Sequence, residues 1–158
     1  MAISNQSGVI MATHSLGCCL GVVLYDAHAR VGGMMHAMLP KSSMNPVKAL
    51  SHPSMFLDSG IPALLKAACE LGASLPNIKL FAAGGAQILD SSGFFSVGRT
   101  NCDMLDEVCQ RHGVRIHGKL VGGQESCSVF MQIASGDVWV KLSGQPQQIF
   151  LCKNSMSI

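Results

Sequence analysis

The sequence predicts an α+β fold in which sheets pack together and helices lie outside them. Three observations carry that prediction. Short apolar segments of strand character outnumber helical ones, and the two helical segments do not alternate regularly with them, which argues against a doubly wound parallel sheet. Hydrophobic residues make up 48% of the 158 and charged residues only 13%, enough to bury one substantial core. No repeat and no long linker divides the chain, so residues 1–158 are expected to form a single domain.

Residues 9–13 suit a short opening strand leading to a turn at Gly17. Residues 19–25 are nearly all apolar, as in a strand buried on both faces. Polar residues 26–30 make a hairpin connection to a second strand, 31–39, which Pro40 ends. The stretch 41–55 mixes Ser, Pro, Asn and Lys without a period and is expected to be a surface loop. A helix follows, capped by Asp58 or Ser59, with Pro62 in its first turn and Gly72 at its end. Ile61, Leu64, Leu65, Ala68 and Cys69 form its inward stripe.

Residues 78–83 form a compact strand running into Gly84 and Gly85. A second helix is expected from a cap at Asn101 to Gly113, with Met104, Leu105, Val108 and Cys109 inward. Strands at 114–121, 128–134 and 137–142 come next, the last two joined by a tight turn at Ser135 and Gly136. Residues 148–152 add a strand, and 153–158 are expected to fray.

Composition also excludes functions. Formal charge is +2 and the eleven Lys and Arg are scattered, so nucleic acid is not an expected partner. The longest apolar run, 16–25, is far shorter than the roughly 18 residues a membrane helix needs. The first fifteen residues lack the basic and apolar regions of a signal peptide, which places the protein in the cytoplasm without membrane insertion. The seven cysteines form no CxxC pairs and are mostly expected to be reduced, buried thiols. His14, His28, His52, His112 and His117 make no HxxxH or HxH pair, so they are assigned to the surface and no metal site is expected. Met34, Met35 and Met38 are assigned to sheet packing. Gly84-Gly85 and Gly122-Gly123 lack the remaining residues of phosphate or dinucleotide loops and fit turns where backbones approach closely.

Cys19 and His36 are the residues suited to chemistry. Cys19 follows the glycine turn at the mouth of the first apolar strand, and His36 lies in the second strand past Gly32 and Gly33. A thiol attacks a carbonyl as thiolate, and a neighbouring imidazole is the common device for removing its proton. Cys18 is adjacent, and because neighbouring residues on a strand face opposite sides, one thiol is expected to face the core and the other the cleft.

With these residues laid out, the chain resembles the CheD family of bacterial chemoreceptor glutamine deamidases. That family has a threonine, a turn ending in Gly-Ser-Cys, an apolar strand ending in Tyr-Asp, and a Gly-Gly-Met-x-His-x-Met-Leu-Pro segment. The matching residues here are Thr13, Gly17, Cys18, Cys19, Tyr25, Asp26 and the run 32–40. The likeness extends to about residue 141, through Asp58 with residues 61–65, Gly84-Gly85-Ala86, Gly98-Arg99 with Asn101, and Val121-Gly122-Gly123. It departs at Cys18, where the family has serine, at Leu120, commonly aspartate, and at Ser126-Cys127, where Gly-Arg is usual.

The resemblance implies a protein-glutamine deamidase that converts receptor glutamines to glutamates and releases ammonia. It implies Cys19 as nucleophile, His36 as acid/base partner and Thr13 as the supporting third residue, with no metal or organic cofactor. It also implies a β-sandwich-like core of mixed sheets flanked by helices, similar to the catalytic domains of glutamine-deamidating toxins. Methyl-accepting chemotaxis receptors are the implied substrates, and a phosphatase of the CheC type is an implied partner. Two alternatives stand beside this: a chemotaxis binding module with little catalysis, motivated by the altered loop 120–127, and a cysteine hydrolase with another amide substrate.

Overall fold

The protein is described by a computed structural model covering residues 1–87 and 96–154. Nine strands among the described residues form two sheets. In the first, β1 (Ala2–Ser4), β4 (Val31–Ala37), β3 (Leu20–Asp26), β5 (Ile78–Gly84) and β6 (Ile116–Val121) lie in that order. Only the β5–β6 pair is parallel, which makes the sheet mixed. The second sheet orders β2 (Ile10–Leu16), β7 (Cys127–Gln132), β8 (Val138–Leu142) and β9 (Gln148–Cys152), all antiparallel.

Two cores explain the layering. Leu20, Val22 and Leu24 point from β3 toward two helices, α2 (Leu57–Glu70) and α3 (Val97–Arg111), where they meet Ile61, Leu64, Leu105 and Val108. Val23 and Tyr25 point the other way, into a second core with Met11, Val129, Met131 and Val140 of the opposing sheet. Strand β3 is therefore buried along all seven residues, which is why it lacks an apolar–polar alternation. The result is a β-sandwich with helices over one outer face, the α+β arrangement expected.

Tyr25 and Asp26 fasten this arrangement at the end of β3. The Tyr25 hydroxyl donates to the Ile133 carbonyl across the sandwich at 3.0 Å. The fully buried Asp26 carboxylate accepts from the N–H groups of His28, Ala29 and Ser74, tying the β3–β4 turn to the chain beyond α2. Burial alone would raise its pKa, but these three donors outweigh it and hold the carboxyl below its usual value of 3.8.

Several local expectations are corrected. Strand β1 was not foreseen, because three residues are too few for a pattern. The expected loop 41–55 contains α1 (Pro46–Ser51) between two short 3-10 turns; the Asn45 side chain accepts from the Lys48 N–H at its start, but no residue of α1 is buried, so there was no stripe to read. Helix α2 starts before its proposed caps, with Phe56 at the cap position and Pro62 inside it. Asp58 instead binds the N–H and hydroxyl of Ser42, holding the preceding loop. Cys69 is exposed, not core.

Helix α3 begins at Val97, so Asn101 is a buried residue in its second turn and not its cap. The inward Met104, Leu105, Val108 and Cys109 are as expected. Strands β6 to β9 match expectation within two residues at each end, and β9 matches at both ends. Of the tail expected to fray, Asn154 hydrogen-bonds Asp137 and Gly136, and residues 155–158 lie outside the described residues.

Candidate active site

Strand β2 belongs to one sheet and β4 to the other, yet Thr13 Oγ1 and His36 Nδ1 are 2.9 Å apart. Gly21 makes that approach possible. It is the cross-strand partner of His36, and a Cβ there would stand 3.0 Å from the Thr13 methyl and 2.8 Å from Leu16 Cδ1. A bulge in β2 between Thr13 and Leu16, with Ser15 at φ 56°, follows and buries Leu16. The chain then turns through Gly17, Cys18 and Cys19 into β3.

That turn is held from outside. The Gly17 carbonyl accepts from Ala86 N–H and the Cys19 carbonyl from Gly85 N–H, both at 2.8 Å. The Cys18 carbonyl accepts from Asn101 Nδ2 of α3 at 2.9 Å, and the same nitrogen donates to the Met38 carbonyl just past β4 at 3.1 Å. Gly84 sits against this turn at φ 111°, where a Cβ would lie 2.2 Å from the Cys19 carbonyl oxygen. Its own carbonyl accepts from Gly122 N–H, so the late glycine loop braces the middle one. The middle glycine pair thus serves close backbone approach, as expected, whereas at Gly122 and Gly123 an added Cβ would meet nothing and it is the positive φ of 84° and 75° that favours glycine.

The structure joins Thr13 to His36 and places Cys19 at the head of the neighbouring strand, without a hydrogen bond between the thiol and the ring. The two adjacent cysteines lie in the turn and not on a strand, so facing opposite sides does not apply: Cys18 is exposed and Cys19 half-buried. Burial first, and then the Cys18 thiol, push the Cys19 thiol up to about 11, while its own backbone N–H pulls it down. Burial, and then the positive charge of the amino terminus, hold the His36 ring below its usual 6.5. The resting pair near neutral pH is therefore thiol and neutral imidazole.

In the tautomer whose Nδ1–H donates to Thr13 Oγ1, Nε2 carries the lone pair and can act as base. Two clefts lie nearby: the first reaches Thr13 and His36, and the second is lined by none of Thr13, Cys19 and His36. One of about 460 Å³ is lined by Met1, Ile3, Met11, Thr13, Met34 and His36. The other, about 420 Å³, is lined by Gly84, Leu120, Gly122, Glu125, Cys127 and Leu142. The departing residue Cys127 is a buried core thiol at the head of β7, and Leu120 packs on the same inter-sheet core. His14, His28, His52, His112 and His117 are all exposed.

Asn101 is the residue that sequence reasoning misplaced. Its signal was present: it lies three and four residues before Met104 and Leu105, on the apolar stripe of α3, where an amide must find buried partners.

A family profile described as CheD chemotactic sensory transduction matches residues 38–142. The match begins beyond His36, so it does not bear on Thr13, Cys19 or His36. A protein of Syntrophus aciditrophicus strain SB named "Probable chemoreceptor glutamine deamidase CheD 1" is 42% identical over 144 residues, 91% of this chain and 90% of the relative. The similarly named "Probable chemoreceptor glutamine deamidase CheD" of Solibacter usitatus strain Ellin6076 is 36% identical over 89% of this chain and 83% of its own length. One with that name from the archaeon Thermococcus kodakarensis is 30% identical over 87% and 84%. With the profile spanning more than half of the chain and such relatives aligned over most of it, this chain belongs to the CheD family.

Proposed function

We propose that this chain is a protein-glutamine deamidase acting on chemoreceptors, with Cys19 as nucleophile, His36 as acid/base and Thr13 as the residue that orients the imidazole. The observation that carries the reading is the Thr13–His36 hydrogen bond beside the strand that Cys19 opens. It fits the family and the names of its relatives.

A side-chain amide is a poor electrophile, and covalent catalysis divides its hydrolysis into two smaller barriers. Because the resting thiol and imidazole are both neutral, proton transfer to His36 Nε2 accompanies attack of the sulfur on the glutamine carbonyl carbon. A C–S bond forms, and the carbonyl oxygen takes the negative charge. The imidazolium returns the proton to the amide nitrogen as the C–N bond breaks and ammonia leaves. Water then adds to the thioester with His36 as base, giving glutamate and the free thiol.

The setting proposed for this reaction is the cytoplasm; among the described residues no helix is long and apolar enough to cross a membrane. A phosphatase of the CheC type is proposed as a second partner on the family resemblance. The test is to incubate wild-type protein with a chemoreceptor cytoplasmic fragment and follow ammonia and peptide mass. A gain of about 1 Da at particular glutamines, as hydrolysis of an amide requires, supports the reading. Unchanged glutamines with a folded protein, together with capture of the phosphatase, would favour the binding module.

A further inference from the structure

We propose that Asn101 is a positioning residue for this reaction: its side-chain amide turns the Cys18–Cys19 peptide so that the Cys19 N–H faces the reacting carbonyl as an oxyanion donor. The inference rests on the assignment of Cys19 as nucleophile. In a trans peptide the C=O of one residue and the N–H of the next point in opposite directions. Asn101 Nδ2 takes the Cys18 carbonyl from the α3 side at 2.9 Å, so the Cys19 N–H points away from α3. The carbonyls on either side of it, those of Gly17 and Cys19, are held by Ala86 and Gly85. Among the described residues the N–H groups of Cys18 and Cys19 donate to no other residue.

The identity of the side chain is set by what it must do. Two carbonyl oxygens, those of Cys18 and Met38, converge on one point inside the protein, and only a group with two N–H donors on one atom satisfies both. Reversing the amide would set its oxygen against both carbonyls. The cost is visible on the other side: Asn101 is fully buried, and its Oδ1 finds no donor among the described residues. Because Met38 lies two residues past His36, the same amide also ties the nucleophile's turn to the strand that carries the base.

The test compares wild type, Asn101→Ala, Asn101→Asp and Cys19→Ala on the chemoreceptor fragment, alongside the rate at which iodoacetamide alkylates Cys19. Alkylation forms no oxyanion, so it reports the thiol alone. Asn101→Ala is expected to lower kcat about 100-fold or more, the usual loss for an oxyanion donor. KM and the alkylation rate should stay within about threefold. Asn101→Asp, which donates one O–H only when protonated, should regain activity relative to wild type as pH falls. That ratio decides the matter if the alanine variant does not fold. Full turnover by Asn101→Ala, an equal loss of turnover and alkylation, or a pH-independent Asn101→Asp ratio would each overturn the inference while Cys19→Ala remains inactive. An active Cys19→Ala would instead overturn the nucleophile assignment on which it rests.

Discussion

Cys19 and Cys127 are two thiols both raised to about 11, Cys127 by burial and Cys19 by burial and then the Cys18 thiol. Cys127 lies in the inter-sheet core among apolar side chains and has burial as its only influence. Cys19 lies in a turn whose three carbonyls are all held, with His36 on the adjoining strand. A high proton affinity therefore does not separate the core thiol from the proposed nucleophile. What separates them is the set of held backbone groups and the proposed base around Cys19, and a nucleophile of the proposed kind is activated when substrate arrives.

That contrast can be tested by removing its parts. After the thiol itself, the largest loss is expected from His36→Ala, which should lower kcat by about 10²–10⁴-fold in the deamidation assay while the fold is retained. For the wild type, because the His36 ring is held below 6.5, kcat/KM should stay level at neutral pH and fall only as pH drops through a value under 6.5. An acid limb above 6.5 would show that a different group is the base.

Thr13→Val removes the hydroxyl and keeps the methyl beside Gly21. Turnover should fall about 10-fold, as expected for a residue that orients the base, with little change in melting temperature. Asp26→Ala sharpens the contrast from the scaffold side. It removes the buried carboxylate to which three part-buried N–H groups donate and should cost about 2–4 kcal/mol in denaturant unfolding, with the folded protein still active. Since the folded carboxyl is held below 3.8, its stabilisation is complete above 3.8 and is lost as pH falls from there through the folded value. The smallest effect is expected from Cys18→Ser. The neighbouring thiol helps raise Cys19, so the variant should titrate lower than about 11 and react with iodoacetamide a few-fold faster near neutral pH.

The sandwich was legible wherever burial imposed a pattern. The continuous apolar run of β3 and the stripes of α2 and α3 follow from their positions between layers. It was illegible where contacts are distant or made by few residues. Strand β1 has β4 as its one strand partner among the described residues, and no residue of α1 is buried. Cys69 fits the α2 stripe, yet it sits one residue past Ala68, where the helix ends and its surface turns outward. The site divides the same way. Cys19, His36 and Thr13 were proposed from motif spacing and the family resemblance, whereas the hydrogen bond that joins two of them depends on a missing Cβ at Gly21. Asn101 was misassigned because an asparagine after polar residues suits a cap as well as a buried clamp, and only the start of α3 at Val97 separates the two.

The most direct test is a side-by-side assay of Cys19→Ala and Cys127→Ala on a chemoreceptor cytoplasmic fragment, with thermal melts to verify folding. Cys19→Ala should keep its fold and lose both ammonia release and the mass gain of about 1 Da at receptor glutamines. Cys127→Ala should keep turnover and lose about 1–2 kcal/mol of stability, the cost of a small core truncation. Retained deamidation by a folded Cys19→Ala, or its loss in a folded Cys127→Ala alone, would contradict the account.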